Sequence, residues 1–250
     1  MYYCCGISDV GNTRDHNEDA FLINKIVMSH AQMESNINHP FIVGVADGVA
    51  GEKSGEIASR LCLELLSNIK FSKKTNLKKK ILDIHENLRC YGIAHDDSLN
   101  MQTTLCALAV DEDNIAYSIN IGDSRMYRFH AGELTQLTKD QSLVELLYDA
   151  GEITDDEKNK HDKRNVIFPV MGNVLSQPSP DIKKVGEIPP EDLILICSDG
   201  LSDYASKNEI ENVLSEKVIL PKRLSSLVSL AINKGSKDNI TIIAVSSKEE

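Results

Sequence analysis

No apolar run in this sequence approaches the roughly 20 residues that a helix needs to cross a bilayer. The opening Met1-Tyr-Tyr-Cys-Cys-Gly6 lacks the basic stretch followed by an apolar one that marks a secretory leader. Together these absences predict a cytoplasmic protein with no membrane partner. Positive charge is also scarce: 38 Asp and Glu outnumber 27 Lys and Arg, giving a formal net charge of −11, which disfavours nonspecific attraction to DNA, RNA or anionic lipid. One basic cluster exists, Lys73-Lys-Thr-Asn-Leu-Lys-Lys-Lys80. It has no interleaved aromatic residue on which a base would stack, so it reads as a solvated loop and helix start, and nucleic acid is not an expected partner. The six cysteines form no Cys-x-x-Cys pair and no compact spacing, which fits reduced, mostly buried thiols better than a zinc or disulfide framework. Linkers, repeats and low-complexity tracts are missing, and 250 residues suit one large domain better than two. Regulation is therefore expected from partners, metal supply or a middle excursion of the chain.

What the sequence does contain is a set of acidic groups placed where strands end: Asp47-Gly48, Gly122-Asp123-Ser124-Arg125, Ser198-Asp199-Gly200 and Asp238-Asn239. The runs 41–46, 115–121 and 193–197 precede the first three, and 240–245 follows the last. All are rich in β-branched or aliphatic residues and bounded by turn formers, the pattern of buried strands. A single Asp-Gly is also a common turn. Several carboxylates at the rim of one sheet would repel one another, however, and imply a multivalent cation between them. Oxygen ligands without a thiolate cluster favour Mg²⁺ or Mn²⁺ over zinc. Asp47, Asp199 and Asp238 could hold two ions, one carboxylate bridging, with the Gly48 carbonyl added where no side chain blocks close approach.

The N-terminal third reads as strand, loop, strand, then strand and two helices, with strands at 20–23 and 41–46 and helices at 56–66 and 77–88. In the second helix Leu77, Ile81, Ile84 and Leu88 recur at helical spacing, so the two can cover one sheet face. Strands at 103–110 and 115–121 form a hairpin through Asp111-Glu-Asp-Asn114, and 126–129 follows. The span 141–173 is charged, with few large apolar residues, no candidate ligand and the capping pattern Thr154-Asp-Asp-Glu157; it reads as an excursion beside the main sheet. The last third alternates strand 193–197, helices 207–214 and 221–233, and strand 240–245. Ser206-Lys-Asn-Glu209 is a capping box, and Gly235 suits a helix end. Many strands per helix favour packed sheets with helices outside over a doubly wound parallel sheet.

Read in order, Ser8-Asp-Val-Gly-Asn-Thr-Arg14, Asn17-Glu-Asp19, Val45-Ala-Asp-Gly48, Ser54-Gly-Glu-Ile-Ala-Ser59, Thr103-Thr104, Gly122-Asp-Ser-Arg125, Ser142-Leu143, Arg164-Asn-Val166, Cys197-Ser-Asp-Gly-Leu201 and Lys237-Asp-Asn-Ile-Thr241 form a highly specific set. They resemble the motifs of the metal-dependent serine/threonine protein phosphatases of type 2C, in their compact bacterial form. The resemblance implies an α+β fold, a four-layer α-β-β-α sandwich of two antiparallel sheets flanked by helices. It also implies one catalytic domain over 1–250, with a mobile flap at about 141–173. By the same resemblance Asp47 bridges two Mn²⁺ or Mg²⁺ ions, Gly48 ligates one through its carbonyl, and Asp199 with Asp238 holds the other. Asp123, with Asp199, matches a third, weaker metal position, and Arg14 the residue that grips the substrate phosphate through its guanidinium fork. Glu18, Asp19 and Asn239 are expected around the metals without assigned ligation. His16, between Asp15 and Asn17, is given no catalytic role.

The implied reaction is direct attack on phosphoserine or phosphothreonine by a hydroxide shared between the ions, without a phosphoenzyme. Implied partners are phosphorylated proteins, with a bacterial serine/threonine kinase and its substrates foremost. Two other classes compete: a phosphoprotein-binding module with weak turnover, which would not need Asp47, Asp199 and Asp238 together, and a phosphohydrolase for small molecules or nucleic acid, for which no base-recognition motif is present. Three positions depart from the family pattern. Val49 stands where some animal members carry a histidine, so the leaving group must be protonated by water or another acid. Ala50 and Gln102 each replace a usual glycine at the cleft rim.

Overall fold

The computed structural model describes residues 1–49, 54–95, 98, 100–158 and 161–247. Two six-stranded sheets lie face to face, and every strand pairing within them is antiparallel. The first runs β4 (Gln32–Ile37), β1 (Tyr2–Asp9), β12 (Ile240–Ser246), β11 (Leu193–Cys197), β8 (Arg125–His130), β9 (Glu133–Gln136). The second runs β10 (Asp181–Gly186), β7 (Ala116–Ile121), β6 (Leu105–Val110), β5 (Phe41–Asp47), β2 (Asp19–Ile23), β3 (Ile26–Met28). Helices α1 (Gly55–Ser67) and α2 (Leu77–Ala94) cover the outer face of the second sheet. Short α5 (Asp199–Ser202), α6 (Lys207–Leu214) and α7 (Leu220–Asn233) cover the first, and α3 (Leu143–Asp149) and α4 (Asp155–Lys158) belong to the excursion.

Side-chain alternation along the strands explains the layers. In β12, Ile243 and Val245 point between the sheets, where they meet Phe21, Val43, Val45 and Leu108, while Ile242 and Ala244 face Leu224, Leu227 and Ala231 beyond the sheet. Both faces of such a strand are dry, so its sequence shows an unbroken apolar run instead of alternation. Each large aliphatic side chain buried this way contributes about 1.5–3 kcal/mol. The third seam joins Leu22, Ala46 and Ala107 to Ala58, Cys62, Leu66, Ile81 and Leu88 of α1 and α2.

Most expected elements stand within a few residues of their predicted bounds. The two-helix cover, the hairpin at 111–114, the Ser206–Glu209 capping box and the left-handed Gly235 at φ +87° are all present. Thr154 and Glu157 cap each other's backbone as their spacing predicts. The basic stretch is a loop leading into α2, and Lys73 is taken up by Asp113 at 2.7 Å. Among the described residues no helix is long and apolar enough to cross a membrane, and the cysteines are free thiols, all buried except Cys90.

Three differences from the expected elements are found. Strands β3, β4, β9 and β10 have no counterpart in the sequence pattern: all four sit at sheet edges, where polar residues are tolerated and the apolar signal fades. The strand expected from 103 begins at Leu105, because Thr103 is occupied in separate bridges to Gly48 and Met171. The excursion, expected to carry few large apolar residues, buries Val144 and Val170 and lends Met171 to the α1–α2 core. Its two ends are held together, Phe168 N–H donating to Gln141 O and Leu143 N–H to Val166 O.

Candidate metal centre

Five aspartates reach one end of the sandwich from five different strand ends. Asp19 opens β2 and is the direct cross-strand partner of Asp47, which closes β5. Asp123 lies in the turn between β7 and β8, Asp199 follows β11, and Asp238 precedes β12. Two glycines make this convergence possible. A Cβ on Gly48 would fall 2.4 Å from the backbone of Gly55, so α1 could not start where it does. One on Gly200 would fall 1.9 Å from the Asn239 carbonyl oxygen, forcing apart the segments that carry Asp199 and Asp238.

A network of short polar contacts fixes the backbone beneath the acids. Ser8 and Thr241 share a 2.7 Å hydroxyl contact, and Asn17 Nδ2 donates to Ser8 Oγ. Ser198 Oγ donates to Asp19 Oδ2 at 2.7 Å. Asn239 spends its whole amide on main chain: Oδ1 accepts from Glu18 N–H, and Nδ2 donates to the carbonyls of Val10 and His16. It therefore positions the 10–18 loop, and His16 contributes through its carbonyl while its side chain is exposed. Gly48 N–H donates to the Glu18 carbonyl, tying this loop to the Asp47 strand end.

The electrostatics are those of like charges forced together. Burial pushes the Asp47 carboxyl well above the ordinary range, and Asp19, Asp199, Asp238 and Asp123 add to it in that order. Asp199 is raised in the same direction by burial, then by Asp123, Asp203, Asp238 and Asp19. Asp19 is pushed up to about 6, chiefly by burial, against the opposing bond from Ser198. Burial also raises Glu18, opposed by Arg14 and reinforced by Asp238. Arg14 itself lies 2.9 Å from Asp238 Oδ2, the two half-buried side chains forming an ion pair across 224 residues of sequence.

Asp123 belongs to a second group that shares Asp199 with the first. Its carboxyl is pushed up to about 7 by burial, then by Asp140 and Asp203, with Arg125 opposing. A cavity of about 30 Å³ opens here, lined by Asp123, Arg125, Asp140, Lys158, Arg164 and Asp203 among others, room for a water or an ion. Asp140 is held by a two-pronged bond from Arg125, and Arg164 of the excursion reaches Asp203 at 4.0 Å. Asp203 was missed in the sequence. Its signal is helical spacing, since its N–H donates to the Asp199 carbonyl four residues earlier.

These residues fit hard divalent cations. The donors are carboxylate and carbonyl oxygens, the buried Asp199 Oδ1 has no hydrogen-bond partner, and the mutual repulsion that lifts the carboxyls is what a cation removes. Among the described residues no group of three or more His, Cys, Asp or Glu side chains stands at metal-ligand spacing. Of the departures from the family pattern, Val49 is half-buried at the rim with its N–H on the Gln102 carbonyl. Ala50 lies outside the described residues.

Comparison with known proteins agrees with this architecture. The family model for protein phosphatase 2C matches residues 15–225, which leaves Arg14 and Asp238 outside the matched range. The protein phosphatase PhpP of Streptococcus pneumoniae is 31% identical over 98% of this chain and 97% of its own. The crystal structure of the serine/threonine phosphatase Stp1 from Staphylococcus aureus superposes with a TM-score of 0.83 at 30% identity, covering 99% of this chain and 96% of that one. The catalytic domain of the serine threonine protein phosphatase PstP, solved with two manganese ions, has a TM-score of 0.77 at 26% identity and covers 98% of this chain and 99% of its own. With the sandwich, the motif order and near-full-length relatives in agreement, this chain belongs to the protein phosphatase 2C family and is a serine/threonine phosphatase, a phosphoric monoester hydrolase.

Proposed function

We propose that the aspartate cluster is a two-metal centre for hydrolysis of phosphoserine and phosphothreonine in proteins. The observation that carries this is the meeting of Asp19, Asp47, Asp199 and Asp238 at one end of the sandwich, the carboxyls of Asp19, Asp47 and Asp199 being raised by burial and by neighbouring acids. Asp47, the Gly48 carbonyl, Asp199 and Asp238 would hold the ions, Asp47 serving both. Two Mn²⁺ or Mg²⁺ ions there would supply a nucleophile from water at neutral pH and offset phosphoryl charge. Asp123, with Asp199 and Asp203 beside the small cavity, is the place for a third, weaker ion.

The chain's own groups have separate tasks. Asp19, holding the Ser198 hydroxyl and facing Asp47, orients the bridging carboxylate. Glu18 adds negative charge near the centre, and Asn239 keeps its loop in register. Arg14 offers a fork to the phosphoryl oxygens once it leaves Asp238, so substrate and carboxylate compete for one guanidinium. No covalent intermediate is required. The buried thiols, pushed up by burial, are poor nucleophiles, and Cys197 points into the core.

Protein substrates would reach the excursion, which we read as a flap within a single catalytic domain of 1–250. A serine/threonine kinase and its targets are the natural phosphorylated partners, and the cytoplasm the natural compartment. The direct test compares turnover of a phosphothreonine peptide, a nucleotide and single-stranded DNA, each with Mn²⁺. The peptide is expected to be hydrolysed and the other two not; preference for the nucleotide or DNA would reassign the substrate class.

Arg14→Ala is expected to raise KM about 10- to 150-fold, the equivalent of about 1.5–3 kcal/mol for one charge-assisted contact. Metal affinity measured by calorimetry should not weaken, because Asp238 keeps its charge. Unchanged kcat/KM would mean that another cation holds the phosphate.

A further inference from the structure

At the base of the excursion Gln102 Oε1 accepts from Asn173 Nδ2 at 3.2 Å. The surrounding backbone is a narrow ribbon: Gly48 bridges Thr103, and Thr103 bridges Met171. Within it Val49 N–H donates to the Gln102 carbonyl and Thr104 N–H to the Asp47 carbonyl. Gln102 is thus bonded by its main chain to the residue after Asp47-Gly48 and by its side chain to the point where the chain leaves the excursion. The outer strand of the ribbon is braced from behind. Gly172 N–H donates to His85 Nδ1 of α2, and a Cβ at Gly172 would come within 2.4 Å of the Met101 carbonyl oxygen.

Asn173 uses its other amide atom for a turn, Oδ1 accepting from the N–H groups of Leu175 and Ser176 at 2.8 and 3.0 Å. Leu175 stands at the tip of that turn, 93% exposed. One side chain therefore joins an apolar residue in solvent to the rim of the metal centre through a braced mount. We propose that Gln102 is a positioning residue whose bond to Asn173 sets the 173–176 turn beside the cleft, making Leu175 a subsite for an apolar side chain next to the phosphorylated residue of a protein substrate. This rests on the phosphoprotein reading above.

The amide chemistry supplies its own controls. In Gln102→Glu the carboxylate still accepts from Asn173 Nδ2, and in Asn173→Asp the Gln102 amide can turn and donate. Combining the two sets carboxylate against carboxylate and breaks the bond, while the Asx turn keeps its acceptor throughout. The test uses the Mn²⁺-loaded enzyme with a small aryl phosphate and two phosphothreonine peptides, one flanked on both sides by leucine and one by serine. Wild type should favour the leucine peptide in KM. Gln102→Ala, Leu175→Ala and the double variant should each raise that KM by about 5- to 10-fold and erase the preference, with aryl phosphate turnover held within about 2-fold. Each single conservative variant should keep the preference.

A leucine-to-serine ratio unchanged in Gln102→Ala, a double variant that retains it, or a wild type without preference would overturn the proposal. Failure of the wild type on both peptides, with the aryl phosphate still hydrolysed, would instead count against the phosphoprotein reading itself.

Discussion

Asp47→Asn is expected to lower kcat by about 100-fold or more while leaving the protein folded, because it removes charge from the proposed bridging ligand and changes nothing in shape. The backbone of Asp47 is held independently of its carboxylate. Its carbonyl accepts from Thr104 N–H and from Thr103 Oγ1, both at 2.8 Å, and its N–H donates to Thr104 Oγ1. The strand end should therefore keep its place. Removing one of several crowded carboxylates also relieves repulsion, so the metal-free variant should melt no lower than the metal-free wild type. The check is paired: steady-state turnover over a range of Mn²⁺ concentrations, and thermal denaturation of both proteins in chelator. Near-normal turnover at low Mn²⁺ would show that the centre lies elsewhere.

Removal of metal should have the other large effect. Chelator is expected to reduce turnover to background, and added Mn²⁺ or Mg²⁺ to restore it. Stability should respond with a definite sign. Without ions, Asp19 is pushed up to about 6 and Asp123 to about 7, above the unfolded carboxylate value of about 4. Between those limits the native state binds more protons than the unfolded one, so metal-free stability falls as pH rises from about 4 to about 7. Ions that favour the charged carboxylates should cancel or reverse the slope. Melting temperatures at pH 5 and 7.5, with and without Mn²⁺, test this directly. Full activity in chelator, or metal-free stability that climbs with pH, would contradict the assignment.

The acids at strand ends were legible because central strands of a sandwich advertise themselves. The runs before Asp47 and Asp199 and after Asp238 are apolar on both faces, and the polar break marks where the sheet meets solvent. The helices showed through their spacing for the same reason. Edge strands did not: Gln32–Ile37 and Asp181–Gly186 carry charge or amide on the open side, and only a partner strand makes them β. Asp19 was placed near the metals but its closeness to Asp47 depends on the β2–β5 register, which no local pattern encodes. The Arg14–Asp238 pair joins residues from opposite ends of the sequence, and Asp140 answers Arg125 only once β8 has packed. Ligand types and turns could be read locally; who faces whom could not.

The strand that follows Asp238 lies in the interior of its sheet, between β1 and β11, though it comes after every other element in the chain. Ser8 is paired with Thr241 across the join. During synthesis, then, the slot for β12 must wait open while all earlier strands emerge, and closing it spans more than two hundred residues of chain. A nascent chain stopped before Asp238 would hold Asp19, Asp47 and Asp199 but lack both the clamp from Asn239 and the centre of one sheet. The proposed metal centre is then completed last, and until β12 arrives one edge of β1 stands unpaired, where a chaperone would be needed.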